Sequence, residues 1–310
     1  MVGLPAGGST GARSGGLPRT GARGHGAALE GVKPERTSRT AQLVALGRAI
    51  ADAGLSHVRG FHDPTARIFL SERGTRSLAK VTRAAREGKP STRVEMARGM
   101  ADLMALRTSV IDTAVREAAA GATQLVILGA GYDGRAWRMS ELAGLRVFEV
   151  DRPATQADKR ARVAALPRPI AVVSFVSIDF ERESLDAVLE RAGHDRSSPT
   201  CWVWEGVVMY LTRDAMHATL ADIAARSAPG STVIVNYHTG RRRFIARLMY
   251  RLIGEPQISA WTPDEMSTGL RAAAFVVRED SSMVDWSHRF AEGKAKVERA
   301  SYMRVAVATR

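Results

Sequence analysis

The chain has 310 residues, 45% hydrophobic and 25% charged, values of a folded globular protein rather than of a disordered or disulfide-built one. Lys and Arg number 45 against 32 Asp and Glu, a formal charge of +13, but the cations are spread along the chain and lack the clustering of a nucleic-acid footprint. The single cysteine, Cys201, excludes an internal disulfide and a cysteine zinc cage and fits a reducing cytoplasm, and no run of about 18 apolar residues exists to span a membrane.

Residues 1–33, rich in Gly, Pro, Ser and Arg, read as a disordered tail without the apolar core of a secretory signal. Residues 34–120 read as a helical N-terminal cap. Leu43, Leu46 and Ile50 recur at helical spacing behind a candidate cap at Thr37 or Ser38, which predicts that these three face the core. Pro64 after Asp63 marks a helix start, and Leu103, Leu106 and Val110 repeat the helical period.

Beyond Gly121 the texture changes to strands alternating with helices. The β-rich runs are 124–129, 145–150, 171–177, 200–206, 231–238, 273–280 and 301–310, which predict a doubly wound, seven-stranded α/β sheet with helices on both faces over 121–310.

The turn after the first of these strands reads Gly129-Ala130-Gly131-Tyr132-Asp133-Gly134, a G-x-G-x-x-G pattern. Glycines there let the backbone turn tightly and pass close to a nucleotide at a helix N-terminus. Asp151, at the end of the second strand, is placed to accept both hydroxyl hydrogens of a ribose. Nicotinamide or flavin dinucleotides and S-adenosylmethionine both use such a site. Three features favour the second: a long helical segment precedes the first strand, the Asp179-Phe180 pair suits an adenine, and no Tyr-x-x-x-Lys proton donor is present. An NAD(P)-dependent oxidoreductase and a non-catalytic nucleotide-binding module are the competing readings.

Residues 38–49, 61–70 (FHDPTARIFL), 107–112, 128–138 (LGAGYDGRAWR), 147–153 (VFEVDRP), 177–180 (SIDF) and 199–212 (PTCWVWEGVVMYLT) resemble successive motifs of the leucine carboxyl methyltransferase family, in its bacterial branch. The resemblance implies a class I methyltransferase sheet, Rossmann-like, with a helical N-terminal cap and an antiparallel last strand. It implies S-adenosyl-L-methionine as cofactor and O-methylation of a carboxylate, most simply on a small molecule. Carried onto matching positions, Arg107 would pair with the cofactor's carboxylate, Gly129 and Gly131 would lie against its methionine part, and Asp151 would hold the ribose. Asp179 and Phe180 would frame the adenine, and Glu205 would face the ammonium or the transfer centre. Two positions depart from the family pattern: Trp204 replaces a small residue, and Gly134 stands where Thr or Ser is common.

A carboxylate acceptor is ionised near neutral pH, since its reference pKa is about 4, so no catalytic acid or base is assigned. A hydroxyl or amine acceptor would need a proton acceptor, for which Tyr237 and His238 are the candidates. His57 and His62 complete no metal set, and Cys201 reads as a small buried hydrophobe. Arg48, Arg67, Arg135 and Arg138 are candidates for the acceptor's carboxylate. The basic segment 241–254 lies in an insertion that the resemblance sets over the acceptor pocket, about 240–262, as a lid. No nucleic-acid partner and no stable membrane insertion are expected.

Overall fold

The computed structural model describes residues 3, 39–88, 91–179, 182–240, 257–292, 295, 297 and 300–310. The tail apart from Gly3, the candidate caps Thr37 and Ser38, Phe180 and lid residues 241–256 lie outside them.

The sheet forms where β-branched and aromatic runs were read. Its strands are β1 (Gln124–Leu128), β2 (Arg146–Asp151), β3 (Val172–Ser177), β4 (Thr200–Trp204), β5 (Thr232–His238), β6 (Val276–Ser282) and β7 (Met303–Thr309), in the order β3-β2-β1-β4-β5-β7-β6. The first five pair in parallel, and β7 runs antiparallel to both β5 and β6. Every residue of β1 and β4 is buried, as central strands covered on both faces require.

One layer on the sheet comes from the N-terminal segment: α1 (Arg39–Asp52), a 3-10 turn at Pro64–Arg67, α2 (Glu72–Arg86) and α3 (Thr92–Ala119). Asp63 starts the 3-10 turn by accepting from Ala66 N at 3.2 Å, while Ser71 caps α2 through Gly74 N at 3.2 Å. Buried residues of α3, including Ala105, Leu106 and Ile111, join Leu125, Ile127, Val147, Val203 and Ile234 of the sheet in one cluster. The face of α1 differs from the expectation. Ile50 is 1% exposed, but Leu43 is 37% exposed, and the helix buries Ala45, Gly47 and Ala49 instead. A Cβ on Gly47 would stand 2.6 Å from Met104 Cγ, so α1 crosses α3 too closely for large side chains at the contact.

After β1 comes the short α4 (Arg135–Arg138), and α5 (Pro153–Val163) joins β2 to β3. Helices α6 (Leu185–Arg191), α7 (Arg213–Ala225) and α8 (Pro263–Ala272) follow β3, β4 and β5, and α9 (Met283–Phe290) joins β6 to β7. The opposite core includes Val126, Leu128, Phe148, Trp202, Trp204, Leu220, Val233, Val235 and Tyr237. Trp204 packs in this core, so its departure from the family pattern is a matter of packing. Among the described residues no helix is long and apolar enough to cross a membrane.

Candidate cofactor site

Ligands of open α/β sheets bind beyond the carboxyl ends of the strands. Four neighbouring strands present the residues singled out from the sequence at that rim: Asp179 beyond β3, Asp151 at the end of β2, the glycine turn after β1, and Glu205 just past β4. Gly129 and Gly131 have φ of 64° and 45°, the left-handed region that favours glycine. A Cβ at Gly129 would stand 2.4 Å from Val207 Cγ2, so side chains are excluded there for space as well. At Gly134 a Cβ would meet the Thr65 hydroxyl at 1.9 Å. The N-terminal layer therefore fills the place that a side chain at this position would take.

Asp151 Oδ2 accepts from Gly131 N–H at 2.5 Å and Oδ1 from Arg152 N–H at 2.7 Å. Burial pushes its carboxyl above the ordinary range, opposed by these two donors and by the positive charge of Lys159. Asp179 is half-exposed, its Oδ2 3.6 Å from Arg182 Nε.

Arg107, from the middle of α3, sets Nε 2.8 Å from Glu205 Oε1, and Arg135 Nη1 donates to Glu205 Oε2 at 3.0 Å. Burial alone would raise the Glu205 carboxyl, but Arg107 and Arg135 outweigh it and hold the group below the usual range. The pair opens a buried lattice. Arg135 also bonds Asp133 and reaches Asp112 at 2.7 Å, Arg138 reaches Asp112 at 2.6 Å, and Arg48 reaches Asp63 at 3.0 Å. Arg48 further donates to the Tyr132 carbonyl at 2.6 Å. Four guanidiniums (Arg48, Arg107, Arg135, Arg138) thus face four carboxylates (Asp63, Asp112, Asp133, Glu205), which leaves the lattice near neutrality. Three of the arginines considered for the acceptor's carboxylate are engaged here, and the fourth, Arg67, lies at the surface 3.6 Å from Asp52.

The two residues considered as proton acceptors separate. Tyr237 turns into the opposite core and donates to Asp280 at 2.6 Å, and burial followed by that bond pushes its hydroxyl well above the ordinary range. It is thereby removed from the site. His238 is buried on the other face of β5, its ring edge-on to Tyr302 at 5.0 Å. On the same face, Asn236 accepts from Gly206 N–H at 3.3 Å, so it fixes the backbone next to Glu205, a role with no sequence signal. Cys201 is buried, which raises its thiol to about 12. His57 bonds Asp102 at 2.8 Å and His62 faces Asp52 at 3.0 Å, and among the described residues no group of three or more candidate ligands is placed to hold a metal.

A seven-stranded sheet of this order with β7 reversed, a glycine turn after β1 and an acid ending β2 together define the class I methyltransferase architecture. Residues 41–224 match the family described as "Leucine carboxyl methyltransferase". A Mycolicibacterium gilvum protein named "Putative S-adenosyl-L-methionine-dependent methyltransferase" is 34% identical over 239 residues, 75% of this chain and 77% of its own length. A Streptomyces coelicolor protein of the same description is 32% identical over 76% of this chain and 80% of its length. The chain belongs to the leucine carboxyl methyltransferase family. Its fold is also similar to a DUF574 family protein of Streptomyces avermitilis, TM-score 0.53 at 12% identity over 89% of this chain and 98% of the other. A Thermobifida fusca structure, named "a putative methyltransferase", gives TM-score 0.52 at 16% identity over 91% and 97% of the two chains.

Proposed function

We propose that this chain, an S-adenosylmethionine-dependent methyltransferase by family, transfers the methyl group to a carboxylate oxygen of a small molecule. The glycine turn alone also suits a nicotinamide dinucleotide; family membership decides for S-adenosylmethionine. The observation that carries the site assignment is the order of groups along the rim, with Asp179, Asp151, the glycine turn and Glu205 on adjacent strands. Asp179 would meet the adenine, and Asp151 the ribose hydroxyls. The Arg107–Glu205 pair would open onto the carboxylate and ammonium of the methionine moiety, trading one ion pair for two at no net change of charge. The bound cofactor supplies a methyl group on a sulfonium sulfur.

The residues fit that cofactor chemically. Val207 excludes a side chain at Gly129, so only bare backbone lines the turn there, and Ala41 of α1 stands 3.5 Å from where a Gly131 Cβ would be, a roof over the turn. The work left to the protein is to hold the acceptor near attack distance and exclude water, with no proton to remove from an ionised carboxylate. The family description supports a carboxyl acceptor. A hydroxyl acceptor is the second reading, favoured by His238 at the rim end of β5.

Incubating the protein and metabolite extracts with deuterated-methyl cofactor tests this by mass spectrometry. A labelled product that loses its label in mild alkali is a methyl ester and supports the first reading, whereas an alkali-stable label supports the second. Asp151→Ala should weaken S-adenosylhomocysteine binding by about 1–3 kcal/mol in calorimetry, and NAD should give no heat. Unchanged affinity would remove Asp151 from the site.

A further inference from the structure

The glycine turn is permissive by composition. Gly129 and Gly131 hold φ of 64° and 45°, but glycine adopts many other conformations at little cost, so the residues that allow this turn do not enforce it. Its shape has to be imposed by neighbours. The residue after Gly131 is Tyr132, 3% exposed, and three separate segments of the chain hold it.

From α1, Gln42 Nε2 donates to the Tyr132 hydroxyl at 2.8 Å, and Arg48 donates to the Tyr132 carbonyl at 2.6 Å. From α5, Asp158 accepts from the same hydroxyl, and Arg162, which bonds Asp158 at 2.7 Å, lies 5.6 Å from the ring. From the stretch after the 3-10 turn, Phe69 stacks on the ring at 5.2 Å. Phe69 is itself fixed, since Lys159, buried and paired with Glu149 at 2.5 Å, sets its ammonium 5.9 Å from that ring. Two of the anchoring segments are tied to each other as well: Ser71 N–H donates to Gln42 Oε1 at 3.1 Å.

A planar peptide joins Gly131 to Tyr132, so a tyrosine held at its carbonyl, ring and hydroxyl limits how far the end of the turn can move. Ala41, the roof over Gly131, immediately precedes Gln42, and the bond from Gln42 to the hydroxyl therefore also holds the start of α1 down on the turn.

We propose that Tyr132 is a positioning residue for the methionine part of the cofactor: its hydroxyl, clamped between Gln42 of α1 and Asp158 of α5, holds the glycine turn in the shape that receives that part. This role rests on the reading of the turn as the methionine-binding element. A turn already in its bound shape loses less freedom when the ligand arrives, which appears as affinity. The other end of the cofactor depends on Asp179 and Asp151, and Asp151 keeps a second donor, Arg152 N–H at 2.7 Å, when the turn loosens.

Calorimetry of the full chain with S-adenosylhomocysteine and, by competition, with adenosine separates the two ends, because adenosine lacks the amino-acid chain. Tyr132→Phe keeps the ring and removes only the hydroxyl. It should weaken S-adenosylhomocysteine about three- to tenfold and adenosine by less than about twofold. Gln42→Ala should act in the same direction. The double variant should lose clearly less than the product of the two single factors, because both changes remove one bond. A fault spread through the domain would instead weaken both ligands equally. The role is overturned by S-adenosylhomocysteine affinity within about twofold of wild type in Tyr132→Phe, by equal losses for the two ligands, or by factors that simply multiply in the double variant. Should Tyr132→Phe fail to fold, Gln42→Ala with the two ligands decides. If the wild-type protein binds neither compound, the cofactor site fails and the role of Tyr132 with it. If it binds S-adenosylhomocysteine but not adenosine, only the assignment of the two acids fails, and the double variant decides on Tyr132.

Discussion

The two faces of the sheet are built by different rules. On the face away from the N-terminal layer the core is dominated by large apolar side chains, and its polar members, among them His194, Arg226 and Tyr237, bond within that layer. The face under α1 and α3 carries buried charge in quantity, from the Glu149–Lys159 pair to the lattice ending at Glu205. Burying a charge is tolerated only where it is paired, so a face that spends so many paired charges next to the strand ends is organised for a charged ligand, while the other is organised for packing.

The largest effect should come from breaking the charged face at Asp112, which holds Arg135 at 2.7 Å and Arg138 at 2.6 Å. Asp112→Ala leaves two buried guanidiniums short of a partner and should cost about 3–5 kcal/mol in urea unfolding, together with a loss of cofactor affinity through the displaced Arg135. Leu220→Ala, in the opposite core, should cost a similar amount, about 2–5 kcal/mol. Its folded fraction should nonetheless bind S-adenosylhomocysteine with wild-type affinity. Equal affinity losses in both variants would mean that the faces are not functionally distinct.

A smaller effect belongs to His194, buried against Phe148 and Trp202, whose ring nitrogen faces the Thr200 hydroxyl at 3.1 Å. Burial, then Arg226, lowers its pKa to about 4. The unfolded chain therefore binds a proton at about pH 6.5 that the folded chain refuses until about 4, so this residue makes stability fall as pH drops through that window. His194→Gln keeps an amide in place of the ring nitrogen and should be up to about 3 kcal/mol more resistant to acid at the bottom of the window than its neutral-pH difference from wild type implies. Parallel stability curves for the two proteins across it would show that the histidine is protonated in the fold.

The same contrast explains what was legible in the chain. Strands β1, β4 and β5 read directly because Leu125 to Leu128, Trp202 to Trp204 and Val233 to Val235 are dense apolar runs between turn residues. The buried face of α1 did not, because apolar periodicity selects Leu43 whereas a close crossing selects Ala45, Gly47 and Ala49. The positions at the rim were legible through the glycine turn and the acid that ends β2, both local signals. The lattice was not, since Asp63, Asp112, Asp133 and Glu205 come from separate segments, and an arginine in sequence reads as surface until the fold gives it a partner. Glu149 did carry a signal: it interrupts a strand at the register of Val147 and Asp151, where an acid is costly without a buried cation.

The finest test sits on β5, where Tyr237 and His238 are neighbours in sequence that face opposite layers. Tyr237→Phe removes one hydrogen bond to Asp280, but that carboxylate keeps Arg304 at 2.9 Å, so no charge is stranded. The expected cost is about 0.5–1.5 kcal/mol of stability, with an unchanged rate of methyl transfer. Because alternate residues of a strand point to opposite sides, the lost hydroxyl can reach the rim only by bending β5 itself, which seven paired positions with β7 resist. A rate reduced tenfold in this variant would show that β5 does bend, and that the packing face transmits to the charged one.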